Sequence, residues 1–111
     1  MKDIFKSSLL YDFYGELLTN HQKEIYEDFI LNDLSLGEIA EEHGISRQGV
    51  HDLVKRCDKI LNGYEEKLHL VERFEKTKQD VLKICNLADD TGNKVSILEI
   101  KEIAEKILDN Y

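Results

Sequence analysis

Apolar side chains recur every three or four residues along most of the chain, which is the spacing of amphipathic helices. In residues 4–18, one row of side chains four residues apart is Phe5, Leu9, Phe13 and Leu17, with Leu10, Tyr14 and Leu18 beside it. After Thr19, the next apolar stripe is Ile25, Tyr26, Phe29 and Ile30. The chain has no proline to interrupt such helices. The pattern predicts an all-α protein.

Three short motifs predict where helices begin. In each, Ser or Thr is followed three residues later by Gln or Glu: Thr19 with Gln22, Ser35 with Glu38, and Ser96 with Glu99. In such a capping box, each side chain satisfies a free backbone amide at the helix start. Residues 89–94, DDTGNK, have the composition of a turn, so a terminal helix is expected to follow it.

The stretch SLGEIAEEHGISRQGVHDLVKR, which begins at Ser35, predicts a helix-turn-helix over residues 35–61. Two helices that cross over a short turn need a small residue at their contact, and Ala40 is placed there. Gly44 can take the positive φ that the turn requires. The residues expected to form the core of the motif are Ile39, Ala40, Gly44, Ile45, Val50, Leu53 and Val54. The alternative is an ordinary helical hairpin.

The second helix of the motif has an outward face that could contact nucleic acid. In a major groove its first turns meet base edges, so Arg47, Gln48 and His51 are candidates for base contacts. Lys55, Arg56 and Lys59 are candidates for phosphate contacts. The alternative is a solvated face with helix-stabilising charge pairs. Glu38, Glu41 and Glu42 on the preceding helix would repel phosphates.

The second half of the chain raises the question of oligomerisation. Asn62-Gly63 is expected to end or bend the fourth helix, which gives a helical domain at residues 1–63 and an extension at 64–111, packed with it as one unit. A long helix is predicted from Tyr64 to Ala88, with more apolar positions than one short partner helix needs. We therefore expect a homodimer, and the alternative is intrachain packing. The candidate interface residues are Leu68, Val71, Phe74 and Val81.

Charge narrows the range of functions. The chain contains fifteen Lys and Arg residues and twenty-three Asp and Glu residues, which gives a net charge of −8. No segment is basic, so the overall balance opposes non-specific DNA binding, which depends on cations that displace condensed counterions. Charged residues interrupt the N-terminal segment too often for a signal peptide or membrane span, and we expect a cytoplasmic protein that does not bind membranes. Cys57 and Cys85 form no CxxC pair and are expected to be reduced thiols.

No catalytic motif is present. The chain has no GxxxxGK, HExxH or GxSxG sequence. The histidines at positions 21, 43, 51 and 69 are scattered, and adjacent acids such as Glu41-Glu42 point about 100° apart on a helix. The sequence therefore predicts no catalytic residue, no cofactor and no metal site.

These motifs together resemble known bacterial proteins. The run from Leu17 to Leu61 resembles region four of bacterial sigma factors, which reads promoter DNA. YDFYGELLT, LNDLSLGEIAEEHGISRQGV and VKRCDKIL followed by YEEKL resemble more closely the YlxM family of small helix-turn-helix proteins. The likeness covers residues 9 to about 75.

The resemblance implies a regulatory role in the signal recognition particle pathway, and it implies no catalytic residues. The helical domain would dock on the particle's GTPase, on its RNA, or on both. The alternative is a transcriptional regulator that reads duplex DNA as a dimer, with two recognition helices on paired half-sites. Gly49, His51 and Leu53 differ from the family pattern, whereas Ser46, Arg47 and Gln48 match it.

Overall fold

The computed structural model describes residues 3–89 and 94–109. These residues form six α-helices and one short 3-10 turn, so the all-α prediction is confirmed. The elements are α1 (Ile4–Tyr14), the 3-10 turn (Gly15–Leu17), α2 (Asn20–Ile30), α3 (Leu36–His43), α4 (Arg47–Leu68), α5 (Leu70–Ala88) and α6 (Lys94–Asp109). The chain divides into two compact units, Met1–His69 and Leu70–Tyr111. The predicted boundary at residue 63 therefore falls inside α4, and joint packing of the two units stays a prediction.

The first unit contains most of the core. α1 contributes the second of its two apolar rows to this core, not the row that begins at Phe5. Leu10 and Tyr14 are 2% and 1% exposed, and Leu18 follows them at 5%. Phe5, on the row that the spacing made most prominent, is 86% exposed. Both rows repeat every four residues, so periodicity alone could not choose between them.

Three tyrosine hydroxyls connect the helices of the first unit to carboxylates. Tyr11 donates to Glu27, Tyr26 donates to Asp58, and Tyr14 donates to Glu65 at 2.6 Å. Burial, together with these acidic acceptors, raises the pKa values of Tyr11 and Tyr26 far above their ordinary value. The Tyr11 and Tyr26 hydroxyls therefore stay protonated. The three bonds connect α1 to α2, α2 to α4 and α1 to α4.

Two of the three predicted capping boxes are present. The Thr19 side chain accepts from the amide of Gln22, the Ser35 side chain accepts from that of Glu38, and both reciprocal bonds are formed. The third prediction was wrong, because α6 begins at Lys94 and Ser96 lies inside its first turn. Ser96 is only 5% exposed.

Asn62-Gly63, expected to end or bend the fourth helix, does not end it, since α4 continues to Leu68. The Asn62 side-chain amide donates to the backbone carbonyl of Asp58 at 2.7 Å, which accommodates it within the helix. α4 ends instead with His69 as its C-cap, whose φ of 56° is left-handed and whose amide bonds to the carbonyl of Glu65. The predicted long helix from Tyr64 to Ala88 is thus interrupted at a residue that carries no sequence signal for a break.

The second unit consists of α5 and α6. It leaves large apolar side chains in contact with solvent: Leu70, Phe74, Val81, Leu82, Ile97, Leu98 and Leu108 are between 37% and 74% exposed. Of the predicted turn at 89–94, Asp89 is a turn residue and Lys94 begins α6. Residues 90–93 lie outside the described residues.

Candidate nucleic-acid interface

The turn between α3 and α4 has the geometry that the motif requires. Gly44 has a φ of 67° and ψ of 31°, the left-handed conformation that glycine adopts without steric cost. Its amide bonds to the carbonyl of Ala40, and the amide of Ile45 bonds to the same carbonyl at 3.1 Å. These two hydrogen bonds terminate α3 within two residues, so α4 can begin at Arg47.

The predicted core of the motif is largely buried. Ile39 and Val50 are 0% exposed, while Ala40 and Val54 are 6% and 5% exposed. Ile45 and Leu53 are half-buried, and Gly44 is exposed because it forms the turn. These burials place the predicted contact side of each helix inward and leave the opposite side of α4 open.

The start of α4 is capped by Ser46, whose side chain accepts from the amide of Gly49 at 2.9 Å. A Cβ at Gly49 would lie 3.1 Å from the Ser46 hydroxyl oxygen and 4.0 Å from Cδ1 of Ile45. Gly49 thus leaves room for the cap, which gives a local reason for glycine inside the first turn.

The outer side of α4 carries a row of basic residues that we call the α4 ridge: Arg47, His51, Lys55 and Lys59. They are four residues apart, so they lie near one another along one side of the helix and span about 18 Å. All four are exposed, as are Gln48 and Arg56 in the adjacent row. A Cβ at Gly37 would lie 3.7 Å from Nε of Arg47, so this side chain extends across the start of α3. The structure therefore brings all six predicted contact residues to one broad surface.

Most of this positive charge has no ion-pair partner among the residues that the structure describes. Among the described residues, no carboxylate oxygen lies within 4.0 Å of a charged nitrogen of Arg47, Lys55, Arg56 or Lys59. The other two residues of this surface do have an acidic neighbour, Asp52. It accepts from the Gln48 side chain at 2.9 Å and lies 3.7 Å from Nδ1 of His51. Gln48 would have to leave Asp52 to contact a base, whereas the four permanent cations can contact phosphates directly.

The acidic residues of α3 are close to the motif. Glu38 is engaged in its capping box, and Glu41 and Glu42 are exposed. In a duplex-bound helix-turn-helix, the first helix crosses the sugar–phosphate backbone. Carboxylates at that position disfavour the usual docking on duplex DNA.

The candidate dimer residues do not form a uniform surface. Leu68, Phe74 and Val81 are 46%, 41% and 45% exposed, which keeps them available to a partner. Val71 is only 6% exposed within the single chain, and its place in a dimer interface stays a prediction. The four candidates also lie on two helices, since α4 ends at Leu68 and a separate helix starts at Leu70.

The fold also creates a polar cluster that the sequence did not suggest. Nε2 of His43, at the end of α3, lies 3.0 Å from Oδ2 of Asp28 on α2. A hydrogen bond from His43 lowers the pKa of the Asp28 carboxyl below its ordinary value. Fifteen residues separate the two in sequence, so only the packing of α2 on α3 brings them together.

Comparison with known proteins places the chain in a family. A family model described as "Putative helix-turn-helix protein, YlxM / p13 like" matches residues 1–103. The chain belongs to this family. The family assignment and the geometry of α3 and α4 agree on a helix-turn-helix.

Relatives with similar sequences come from several bacteria. A UPF0122 protein of Desulforamulus reducens is 44% identical over 112 residues, covering 98% of this chain and 96% of the relative. UPF0122 protein YlxM of Bacillus subtilis is 41% identical over 102 residues, covering 92% and 93%. A UPF0122 protein of Caldanaerobacter subterraneus is 52% identical over 82 residues, covering 74% and 70%. Nowhere in the part of the chain that the structure describes is a helix both long and apolar enough to cross a bilayer.

Proposed function

We propose that this protein is a regulatory helix-turn-helix protein of the signal recognition particle pathway, that it acts in the cytoplasm, and that it is not an enzyme. It binds the particle's RNA, its GTPase, or both. The observation that supports RNA contact is the α4 ridge together with Arg56, because these side chains are exposed and the lysines and arginines have no carboxylate partner among the described residues. Such side chains bind phosphates and release counterions when they do so.

RNA is favoured over duplex DNA by the distribution of charge around the ridge. Duplex binding would press α3, with its exposed Glu41 and Glu42, toward the phosphate backbone. An RNA loop or bulge can meet the ridge alone, because RNA recognition commonly uses unpaired segments rather than a groove. The remaining acidic surface, within a chain of net charge −8, then attracts a basic partner such as the RNA-binding region of the GTPase.

A DNA-binding transcriptional regulator is the second candidate. The observation in its favour is the compact turn at Gly44, which leaves Arg47 and Gln48 exposed at the start of α4, where recognition helices contact bases. In this alternative a homodimer would place two α4 helices on paired half-sites, and the weak affinity of each would be combined.

Salt-dependent binding distinguishes these candidates. Fluorescence anisotropy would measure the affinity of the full chain for the particle RNA and for random-sequence duplex DNA over a series of salt concentrations. Four phosphate contacts to unpaired RNA predict a slope of log affinity against log salt of about −3. The double variant Lys55→Glu/Arg56→Glu should weaken RNA binding and make the slope shallower by about 1.4.

The matched control is Lys76→Glu/Lys78→Glu, which makes the same charge change at exposed positions of α5. It should leave the slope unchanged, since only the total charge is altered. RNA affinity that falls equally in both double variants would contradict a binding role for α4. Tight duplex binding without RNA binding would support the transcriptional alternative.

The protein partner is tested by a pull-down from cell extract in which RNA and protein are both identified. Recovery of the particle GTPase or its RNA is the expected result, and loss of the RNA in the Lys55→Glu/Arg56→Glu variant would assign that contact to α4. Recovery of neither component would contradict the proposed pathway.

A further inference from the structure

We propose that Asp28, Glu42 and His43 form a divalent-metal site, suited to Zn²⁺, that joins α2 to α3. One potential ligand atom from each of these residues lies within 4.8 Å of those from the other two. They come from two helices, and the side chains of Asp28 and His43 are each only 16% exposed. This site is separate from the α4 ridge, and the inference does not depend on nucleic-acid binding.

The donor atoms suit a transition metal. One imidazole nitrogen and two carboxylate oxygens are ligands that Zn²⁺ accepts, with a water molecule at the remaining position. Two ligand atoms of a tetrahedral zinc ion are about 3.3 Å apart, since each bond is about 2.0 Å long. Nε2 of His43 and Oδ2 of Asp28 are already 3.0 Å apart. Zinc would replace their hydrogen bond: Nε2 of His43 would lose its proton to bind the ion, and the neutral ring would carry its one proton on Nδ1.

Neighbouring groups hold the buried ligands in position. Oδ1 of Asp28 accepts from the Asn32 side-chain amide at 2.9 Å, which leaves Oδ2 directed toward His43. The His21 ring lies edge-on to the His43 ring, with centroids 6.4 Å apart. Such outer contacts orient metal ligands and add to affinity. Glu42 is exposed, so its long side chain can complete the set by rotation alone.

The position of the cluster gives metal binding a consequence for the helix-turn-helix. Glu42 and His43 are the last two residues of α3, and Gly44 forms the turn into α4. A bound ion would fix this end of α3 to α2. Because the folded chain alone presents the three ligands together, zinc should stabilise the fold by an amount that rises with the logarithm of its concentration above the dissociation constant.

Calorimetric titration of the EDTA-treated full chain with ZnCl2 tests the proposal, with Co²⁺ absorption as a probe of coordination. One ion per chain, visible bands of tetrahedral cobalt and a rise of several degrees in the thermal unfolding midpoint are expected. His43→Gln and Glu42→Gln should each weaken zinc binding about tenfold or more.

Two substitutions serve as matched controls. Glu41→Gln removes an equal charge from the neighbouring exposed position, and His51→Gln removes an imidazole on α4. Both should leave zinc affinity unchanged. If His43→Gln fails to fold, Glu42→Gln decides, because Glu42 is exposed and is not part of the His43–Asp28 bond. Equal weakening in all variants, or several weak ions per chain, would show diffuse binding to surface acids and overturn the proposal.

Discussion

The two units of this protein bury their apolar residues to very different extents. Twelve of the thirteen buried apolar residues that the structure describes lie in Met1–His69, and Val71 alone lies in Leu70–Tyr111. The second unit instead exposes side chains such as Phe74, Leu82 and Leu98. A pair of helices can cover only one face of each other, whereas the four helices of the first unit surround a common core. The first unit should therefore provide most of the stability, and the second unit has surface left for a partner.

Truncating one leucine in each unit, a buried one in the first and an exposed one in the second, gives the largest contrast. Leu61 is 0% exposed and Leu98 is 63% exposed. Leu61→Ala should lower the free energy of unfolding by about 2–5 kcal/mol, because it leaves a cavity. Leu98→Ala should change it by about 0.5 kcal/mol or less. Urea denaturation followed by circular dichroism measures both, and equal losses would contradict the contrast between the units.

The two cysteines provide a second comparison, one in each unit. Burial raises the pKa of the Cys57 thiol to about 11, from an ordinary value of 9.0, while Cys85 is exposed. At pH 8 a thiol-reactive reagent should therefore modify Cys85 quickly and Cys57 at least about a hundredfold more slowly. Rapid modification of both in the folded protein would show that the first unit opens easily.

The Cys57 shift also makes stability depend on pH. The unfolded chain loses the thiol proton near pH 9 and the folded chain near pH 11. The contribution of Cys57 is thus intact below pH 9 and lost between 9 and 11, by about 2–3 kcal/mol. Urea denaturation at intervals across this range should show declining stability, with a smaller decline in Cys57→Ala.

Removing one tyrosine hydroxyl tests the polar connections of the first unit. Tyr26→Phe should cost about 1–3 kcal/mol, since it removes the donor to Asp58 inside the core. Tyr64→Phe is the matched control, because among the described residues the Tyr64 hydroxyl has no hydrogen-bond partner, while its ring stacks on Tyr14. Unfolding curves should separate the two variants. An unchanged curve for Tyr26→Phe would show that this bond does not stabilise the fold.

The smallest effect on folding is expected for Val81→Glu. Val81 is 45% exposed, so the charge should change the free energy of unfolding by about 0.5 kcal/mol or less. If the second unit forms the predicted homodimer, the same charge should produce a folded monomer in analytical ultracentrifugation, whereas Gln79→Glu should remain dimeric. A wild-type monomer, or a dimer that survives Val81→Glu, would contradict the use of this surface.

The sequence predicted the features that local chemistry determines. The capping boxes at Thr19 and Ser35, the glycine turn at Gly44 and the burial of Val50 were all confirmed, since each depends on neighbours in sequence. The six contact residues of α4 were predicted to face outward, and they do, although their binding role stays a prediction.

Features that depend on distant residues were missed. α1 has two equivalent apolar rows, and which of them is buried depends on the helices that α1 packs against. α4 continues past Gly63, with the Asn62 side chain bonded to the carbonyl of Asp58, and the break at His69 has no glycine or proline to signal it. The cluster of Asp28 and His43 likewise exists only after α2 and α3 pack together.

Amide NMR of the full chain titrated with the particle RNA would test whether the outer face of α4 contacts nucleic acid. We predict that the largest chemical-shift changes occur at residues 47–59, with small changes along α5 and α6. Changes confined to α5 and α6, or no changes at saturating RNA, would contradict the claim.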